Sequence, residues 1–213
     1  MKTDDLIGLL AAGVPPVAPH AGARRAARAL ALSLPVAVAL MLGVLGLNPA
    51  LGEYLHLPMF WVKFIAPLCM AIAGTVLLGR LGRPGTPVRA GWLAWLLPVL
   101  LLWALGAVVW LDAPPEQRRA LVMGQTWRYC PACIVMLSAP IFAAALWVLR
   151  GMAPVRPRLA GAGAGALAGA AGATVYALHC PELGAPFLAI WYVIGMAIPV
   201  AVGALVGPRL LRW

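Results

Sequence analysis

Six long, predominantly apolar runs, at about 30–47, 60–79, 91–111, 133–150, 159–178 and 187–206, constrain this chain more than any other feature. Each is close to the ~20 residues that an α-helix needs to cross the hydrocarbon of a bilayer. A mean hydropathy of +0.94 with 10% charged residues is too apolar for a soluble domain of 213 residues. The expected fold is an all-α integral membrane protein with six transmembrane helices. Residues 1–29 are left as an N-terminal segment and 30–213 as the membrane domain.

Proline lies inside five of the runs (Pro35, Pro67, Pro98, Pro140 and Pro199), which a membrane helix tolerates as a kink when neighbours satisfy the freed carbonyl. The fifth run repeats small residues from Gly161 to Gly172, a pattern that lets helices approach closely and marks the central packing helix.

Orientation follows from the cations. Lys2, Arg24, Arg25, Arg28, Arg80, Arg83, Arg89, Arg150, Arg156, Arg158, Arg209 and Arg212 fall on one side of the six runs, against Lys63, Arg118, Arg119 and Arg128 on the other. The positive-inside rule then puts both termini in the cytoplasm, N-in and C-in, with the chain multi-pass. Tyr54, Trp61, Trp110, Trp127 and Tyr129 supply an aromatic girdle on the outer side. The formal charge of +10 is explained by this topology; the arginines form no stripe, and direct nucleic-acid binding is not expected. No small-residue cleavage site follows the first apolar run, so no removable signal peptide is expected.

In the N-terminal segment, Thr3 can cap a short helix whose first turn carries Asp4 and Asp5 and whose apolar side carries Leu6, Ile7, Leu9 and Leu10. Gly13 ends it, and Pro15, Pro16 and Pro19 make an extended linker. Inner-leaflet binders are usually basic, so this acidic helix fits better as a tethered peptide that docks into the groove of a cytosolic partner.

The chemistry-bearing residues cluster on the outer side. Cys130 and Cys133 enter the fourth span, and His179-Cys180-Pro181-Glu182 leaves the fifth. A short inner loop joins these spans, so they pack antiparallel and bring three thiols, an imidazole and a carboxylate to one level. Cys130, Cys133, His179 and Cys180 are therefore candidate ligands for a thiophilic ion such as copper or zinc, and the thiols equally suit reversible disulfide formation. A plain stabilising disulfide, or cysteines that only fill apolar space, is the structural alternative.

Cys69, in mid-span, reads as a packing residue, and Met59, Met123 and Met136 as gap fillers. Lys63, about one turn into the second span, is expected to snorkel outward. His20 and His56 read as loop residues. No nucleophile-base pair, phosphate-binding glycine loop or paired intramembrane carboxylate appears, so an enzyme is not expected and no cofactor is obligatory. A membrane thiol-disulfide oxidoreductase using Cys130 and Cys133, or a metal-binding membrane protein, remains the rival reading; the former should carry further paired thiols and a cofactor pocket.

Several motifs together resemble a known family. Met1-Lys2-Thr3-Asp4-Asp5-Leu6-Ile7, Cys130 and Cys133 before the fourth span, Tyr176-Ala177-Leu178-His179-Cys180-Pro181-Glu182, Pro186-Phe187 with Trp191-Tyr192, and the closing Gly207-Pro208-Arg209-Leu210-Leu211-Arg212-Trp213 resemble the NrsF family of bacterial membrane anti-sigma factors. The resemblance covers essentially the whole chain. It implies a protein of the inner membrane that holds an extracytoplasmic-function sigma factor inactive through its N-terminal segment and responds to heavy-metal or oxidative stress. Carried onto this sequence, it makes Thr3, Asp4, Asp5, Leu6 and Ile7 sigma-contacting candidates, which the apolar pattern extends to Leu9 and Leu10, and makes Cys130, Cys133 and Cys180 sensor candidates.

Overall fold

The structure is a computed structural model and describes residues 3–12, 21–152 and 154–212. Among these residues six helices are long and apolar enough to cross a membrane. The Gly13 stop, the Pro15, Pro16 and Pro19 linker, Lys2 and His20 lie outside the described residues.

Helix α1 runs Thr3–Ala11, with Asp4 and Asp5 in its first turn and no buried residue. Thr3 is itself helical rather than a flanking cap. The first span, α2, starts at Ala21 instead of residue 30 and continues from Leu40 through a wide π-helical turn at Met41–Leu45. Hydropathy placed this boundary too late because Arg24, Arg25 and Arg28 interrupt the apolar pattern. Alanine-rich sequence nonetheless favours helix, and Arg25 has a place to go: its guanidinium stacks 3.9 Å from the Trp147 ring and donates to the Trp147 carbonyl at 2.8 Å.

The short helix α3, Leu51–Tyr54, precedes α4, Pro58–Leu81, and α5, Arg89–Asp112. Next come α6, Pro115–Met123, then α7, Cys130–Arg150, and α8, Pro157–Tyr176. The last span opens as α9, Ala185–Phe187, widens into a π-helical turn at Leu188–Tyr192, and ends as α10, Val193–Leu210. Pro35, Pro67, Pro98, Pro140 and Pro199 all lie inside helices. Within the wide turn of the last span, the Ala189 carbonyl accepts the Trp103 indole N–H at 2.8 Å.

Helix α8 is the axis of the bundle. Every residue from Ala160 to Tyr176 is buried, against α10, α4 and α7, while α2 lies on α7, and α5 on α4 and the start of the last span. Small side chains make this possible. A methyl group at Gly165 would land on the Pro199 main chain, 2.6 Å from the Val200 Cα. The close approach supplies packing where no hydrophobic force acts between helices in lipid.

Each end of the bundle has its own character. At one end Arg150 Nε donates to the Leu210 carbonyl at 2.8 Å, and Gly22 and Gly82 both abut Met152, gathering the arginine-bearing termini and turns. At the other end the turns after α2, α5 and α8 meet, and there Cys130, Cys133 and Cys180 lie.

Candidate functional site

The site is built on the turn from Ala177 to Gly184, which leaves α8 and crosses the end of the bundle. Two hydrogen bonds hold its start: Cys180 N donates to the Tyr176 carbonyl at 3.0 Å, and Asn48 N to the Leu178 carbonyl at 3.2 Å. His179 Nδ1 donates to the Gly46 carbonyl at 2.9 Å, and Tyr54 Oη to the Pro181 carbonyl at 3.2 Å. The turn is thereby fastened to the end of the first span and to α3.

Lys63 makes the most consequential attachment. Its side chain is 1% exposed, and Nζ donates to the carbonyls of Cys180 and Glu182, the latter at 2.9 Å. The expectation that it snorkels outward is therefore corrected. Two main-chain oxygens on either side of Pro181 offer acceptors inside the bundle end, and they satisfy the ammonium without a walk to the interface. The Tyr192 ring lies 5.9 Å from Nζ.

A fourth attachment comes from the segment before α7. One carboxylate oxygen of Glu182, Oε1, accepts from Gln125 N at 2.5 Å and Thr126 N at 3.1 Å, with Thr126 Oγ1 at 3.4 Å. Gly124 makes this approach possible: its φ of +51° turns the chain, and any Cβ there would stand 2.7 Å from the carboxylate. Trp191 donates its indole N–H to the Val122 carbonyl at 2.9 Å and packs on Trp127 at 5.2 Å, closing the outer side of the same segment.

These attachments place the thiols. Cys130 opens α7 and Cys180 lies in the crossing turn; both are fully buried and in mutual contact. Cys133, one helical turn on, is half-buried and faces Tyr176. The Cys130 thiol, donating to Cys180, and then the Lys63 ammonium hold the Cys180 thiol below its ordinary range against the opposing effect of burial. Tyr176 and Tyr192 wall the pair, their rings 5.8 Å apart, and the Tyr192 hydroxyl faces Cys180 without closing a hydrogen bond of ordinary geometry.

Cys130, Cys133, His179 and Cys180 lie at the same end of the bundle, and the contacts there join Cys180 to Cys130 and His179 to Gly46 and Tyr176. Among the described residues, however, no three or more His, Cys, Asp and Glu side chains are arranged to hold a metal ion, and His179 commits Nδ1 to Gly46. All four cysteines are free thiols. Cys69 faces outward, in an apolar groove with Trp61 and Pro98, while Met59 and Met136 pack against the core. Leu6, Ile7, Leu9 and Leu10 are exposed on α1, as are Thr3, Asp4 and Asp5. Lys63 is the residue that sequence reasoning misjudged; its one visible signal was a lysine placed inside an apolar run.

Fold and site together define a helical bundle with six helices long and apolar enough to cross a membrane, whose chemistry-bearing residues form a tied, thiol-containing cap. The chain belongs to the NrsF family, negative regulator of sigma F, whose sequence profile matches residues 10–213. It is 49% identical to a protein of Azospira oryzae named probable anti-sigma-F factor NrsF and 40% identical to the anti-sigma-F factor NrsF of Caulobacter vibrioides, each alignment covering 100% of both chains. No solved structure is significantly similar.

Proposed function

We propose that this chain is a membrane anti-sigma factor that holds a sigma factor, of the extracytoplasmic-function type, inactive at the inner face of the bacterial cytoplasmic membrane. Helix α1 is the capture element. It carries Leu6, Ile7, Leu9 and Leu10 exposed beside two acidic residues, with nothing buried against the bundle, which suits a peptide that docks in a partner's groove. The relatives' names, which are those of regulators, support this reading over the oxidoreductase alternative.

Release is proposed to start at the thiol cap, in the periplasm by the arginine asymmetry of the turns. The observation that carries this half is the contact between Cys130 and Cys180 beneath a turn tied to four other segments. Oxidation by hydrogen peroxide joins the two sulfurs: two thiols and one peroxide give one disulfide and two waters. A thiophilic ion such as copper or zinc is the alternative input, and it requires Cys133 and His179 to move, since they are not assembled with the pair in the resting arrangement.

Magnitudes separate the two inputs. Shifting a two-state regulator from almost all bound to almost all free takes ~10⁴-fold differential affinity, about 5.5 kcal/mol. A disulfide contributes about 2–4 kcal/mol, so oxidation alone gives partial release, whereas thiolate capture of a metal, at ~10 kcal/mol or more for structural zinc, covers the whole range. Two variants test the halves separately. Deleting residues 1–12 abolishes sigma repression if α1 captures, and Cys→Ser at Cys130, Cys133 and Cys180 abolishes induction by metal or peroxide if the cap senses. Intact repression or intact induction, respectively, defeats that half.

A further inference from the structure

A second concave site lies at the opposite, arginine-bearing end of the bundle. The turn between α4 and α5 and the segment leading into α8 enclose a cavity of about 440 Å³ lined by Arg80, Arg83, Arg89 and Arg156. No aspartate or glutamate lines it. Leu81 and Val155 supply apolar wall, and Val155 is 69% exposed toward the surroundings of the bundle.

The cavity is held in shape by the turn's own hydrogen bonds. Thr86 Oγ1 donates to the Arg80 carbonyl at 2.5 Å and lies 3.1 Å from the Arg83 carbonyl, and Arg80 Nη1 donates to the Pro87 carbonyl at 3.2 Å. These bonds fix Arg80 while Arg83, Arg89 and Arg156 stay exposed. Like charges gathered in one hollow repel unless an anion lies among them. Guanidinium groups match phosphate oxygens in a planar, bidentate way that ammonium does not.

Position selects the source of the phosphate. Two arginines end or begin helices long and apolar enough to span, Arg80 in the last turn of α4 and Arg89 at the start of α5, so in the topology proposed above, on which this inference rests, the cavity lies at headgroup depth. Basic pockets of this kind between spanning helices bind anionic lipid headgroups. We propose that this cavity binds the phosphate of an anionic phospholipid, phosphatidylglycerol or cardiolipin, with Arg80, Arg83, Arg89 and Arg156 as its ligands. This site is separate from the thiol cap and from α1.

The test is native mass spectrometry of the purified full-length protein in detergent, after incubation with phosphatidylglycerol, cardiolipin or zwitterionic phosphatidylcholine. Wild-type protein is expected to retain the anionic lipids at least tenfold more than phosphatidylcholine. The triple variant Arg83→Gln, Arg89→Gln, Arg156→Gln loses at least tenfold of that retention; Arg118→Gln with Arg119→Gln, at the other end, does not. Should the triple variant aggregate, Arg83→Gln alone, an exposed position, is expected to lower retention about threefold.

Three results overturn the proposal. One is retention by the triple and single variants equal to wild type, or equal binding of phosphatidylcholine. Another is displacement of the lipid by millimolar inorganic phosphate, which makes the site one for free phosphate. The third is unchanged lipid retention with lost sigma-factor capture, which makes the cavity a protein contact.

Discussion

Lys63 Nζ donates to the main-chain oxygen of Glu182 at 2.9 Å, joining the second span to the turn after the fifth. The same ammonium serves the Cys180 carbonyl, so one buried cation holds both sides of Pro181. Lys63→Met keeps the apolar stem and removes both bonds. Buried carbonyls left without a donor cost roughly 1–3 kcal/mol each, and the variant is expected to lose ~3 kcal/mol. For a chain of this length that lowers Tm by roughly 6–12 °C, read by thermal unfolding in detergent. An unchanged Tm would show that the lysine is replaceable by water.

Glu182 acts from the other side of the same turn. Its Oε1 accepts two main-chain N–H groups, so Glu182→Gln exchanges a charge-assisted acceptor for a neutral one at a cost of ~1–1.5 kcal/mol. Hydrogen exchange is expected to show about tenfold weaker protection at Gln125 and Thr126. Amides in α8 should be unaffected, because the perturbation is confined to the cap.

Two glycines give opposite signs for one substitution. Gly165 meets the main chain of α10, whereas Gly79, within α4, has nothing within 4 Å of a built Cβ. Gly165→Ala is expected to destabilise by ~3 kcal/mol or more through forced separation of the helices. Gly79→Ala is expected to be neutral or to stabilise by up to about 1 kcal/mol, since alanine is the better helix former. Thermal unfolding of the pair under one condition decides it.

For α1 the expected effect is on capture alone. Leu6→Ser with Ile7→Ser removes apolar surface worth ~1.5–3 kcal/mol per side chain if both are buried against a sigma factor. Affinity should fall by at least tenfold, while Tm stays within 1–2 °C (about 0.5 kcal/mol) because neither residue is buried against the bundle. Co-purification with the sigma factor and a melting curve measure the two outcomes.

How much of this was legible in the sequence can be judged from particular residues. Length and hydropathy mark the six helices because a spanning helix must be apolar throughout, and the run from Gly161 to Gly172 marks α8 because close helix approach demands small side chains. Arg24, Arg25 and Arg28 obscure the start of α2, and the shelter that Arg25 finds on Trp147 comes from a residue 122 positions away. Topology alone brings Cys130, Cys133, His179 and Cys180 to one end of the bundle, but which thiols touch depends on contact across that end, which puts Cys180 beside Cys130. Lys63 was misread for a related reason: snorkelling is a local rule, and its acceptors, 117 and 119 residues on, exist only once the turn has folded.

Modification of the Cys130–Cys180 pair is expected to free the partner held at the other end of the chain. This is tested most directly by capturing the full-length protein with its sigma factor in membranes, treating with hydrogen peroxide, and measuring in one sample the disulfide connectivity by peptide mapping and the sigma factor retained. The expected result is a Cys130–Cys180 disulfide accompanied by partial loss of sigma factor, with both absent in Cys180→Ser. A Cys130–Cys180 disulfide formed with the sigma factor fully retained, or release that persists in Cys180→Ser, would contradict it.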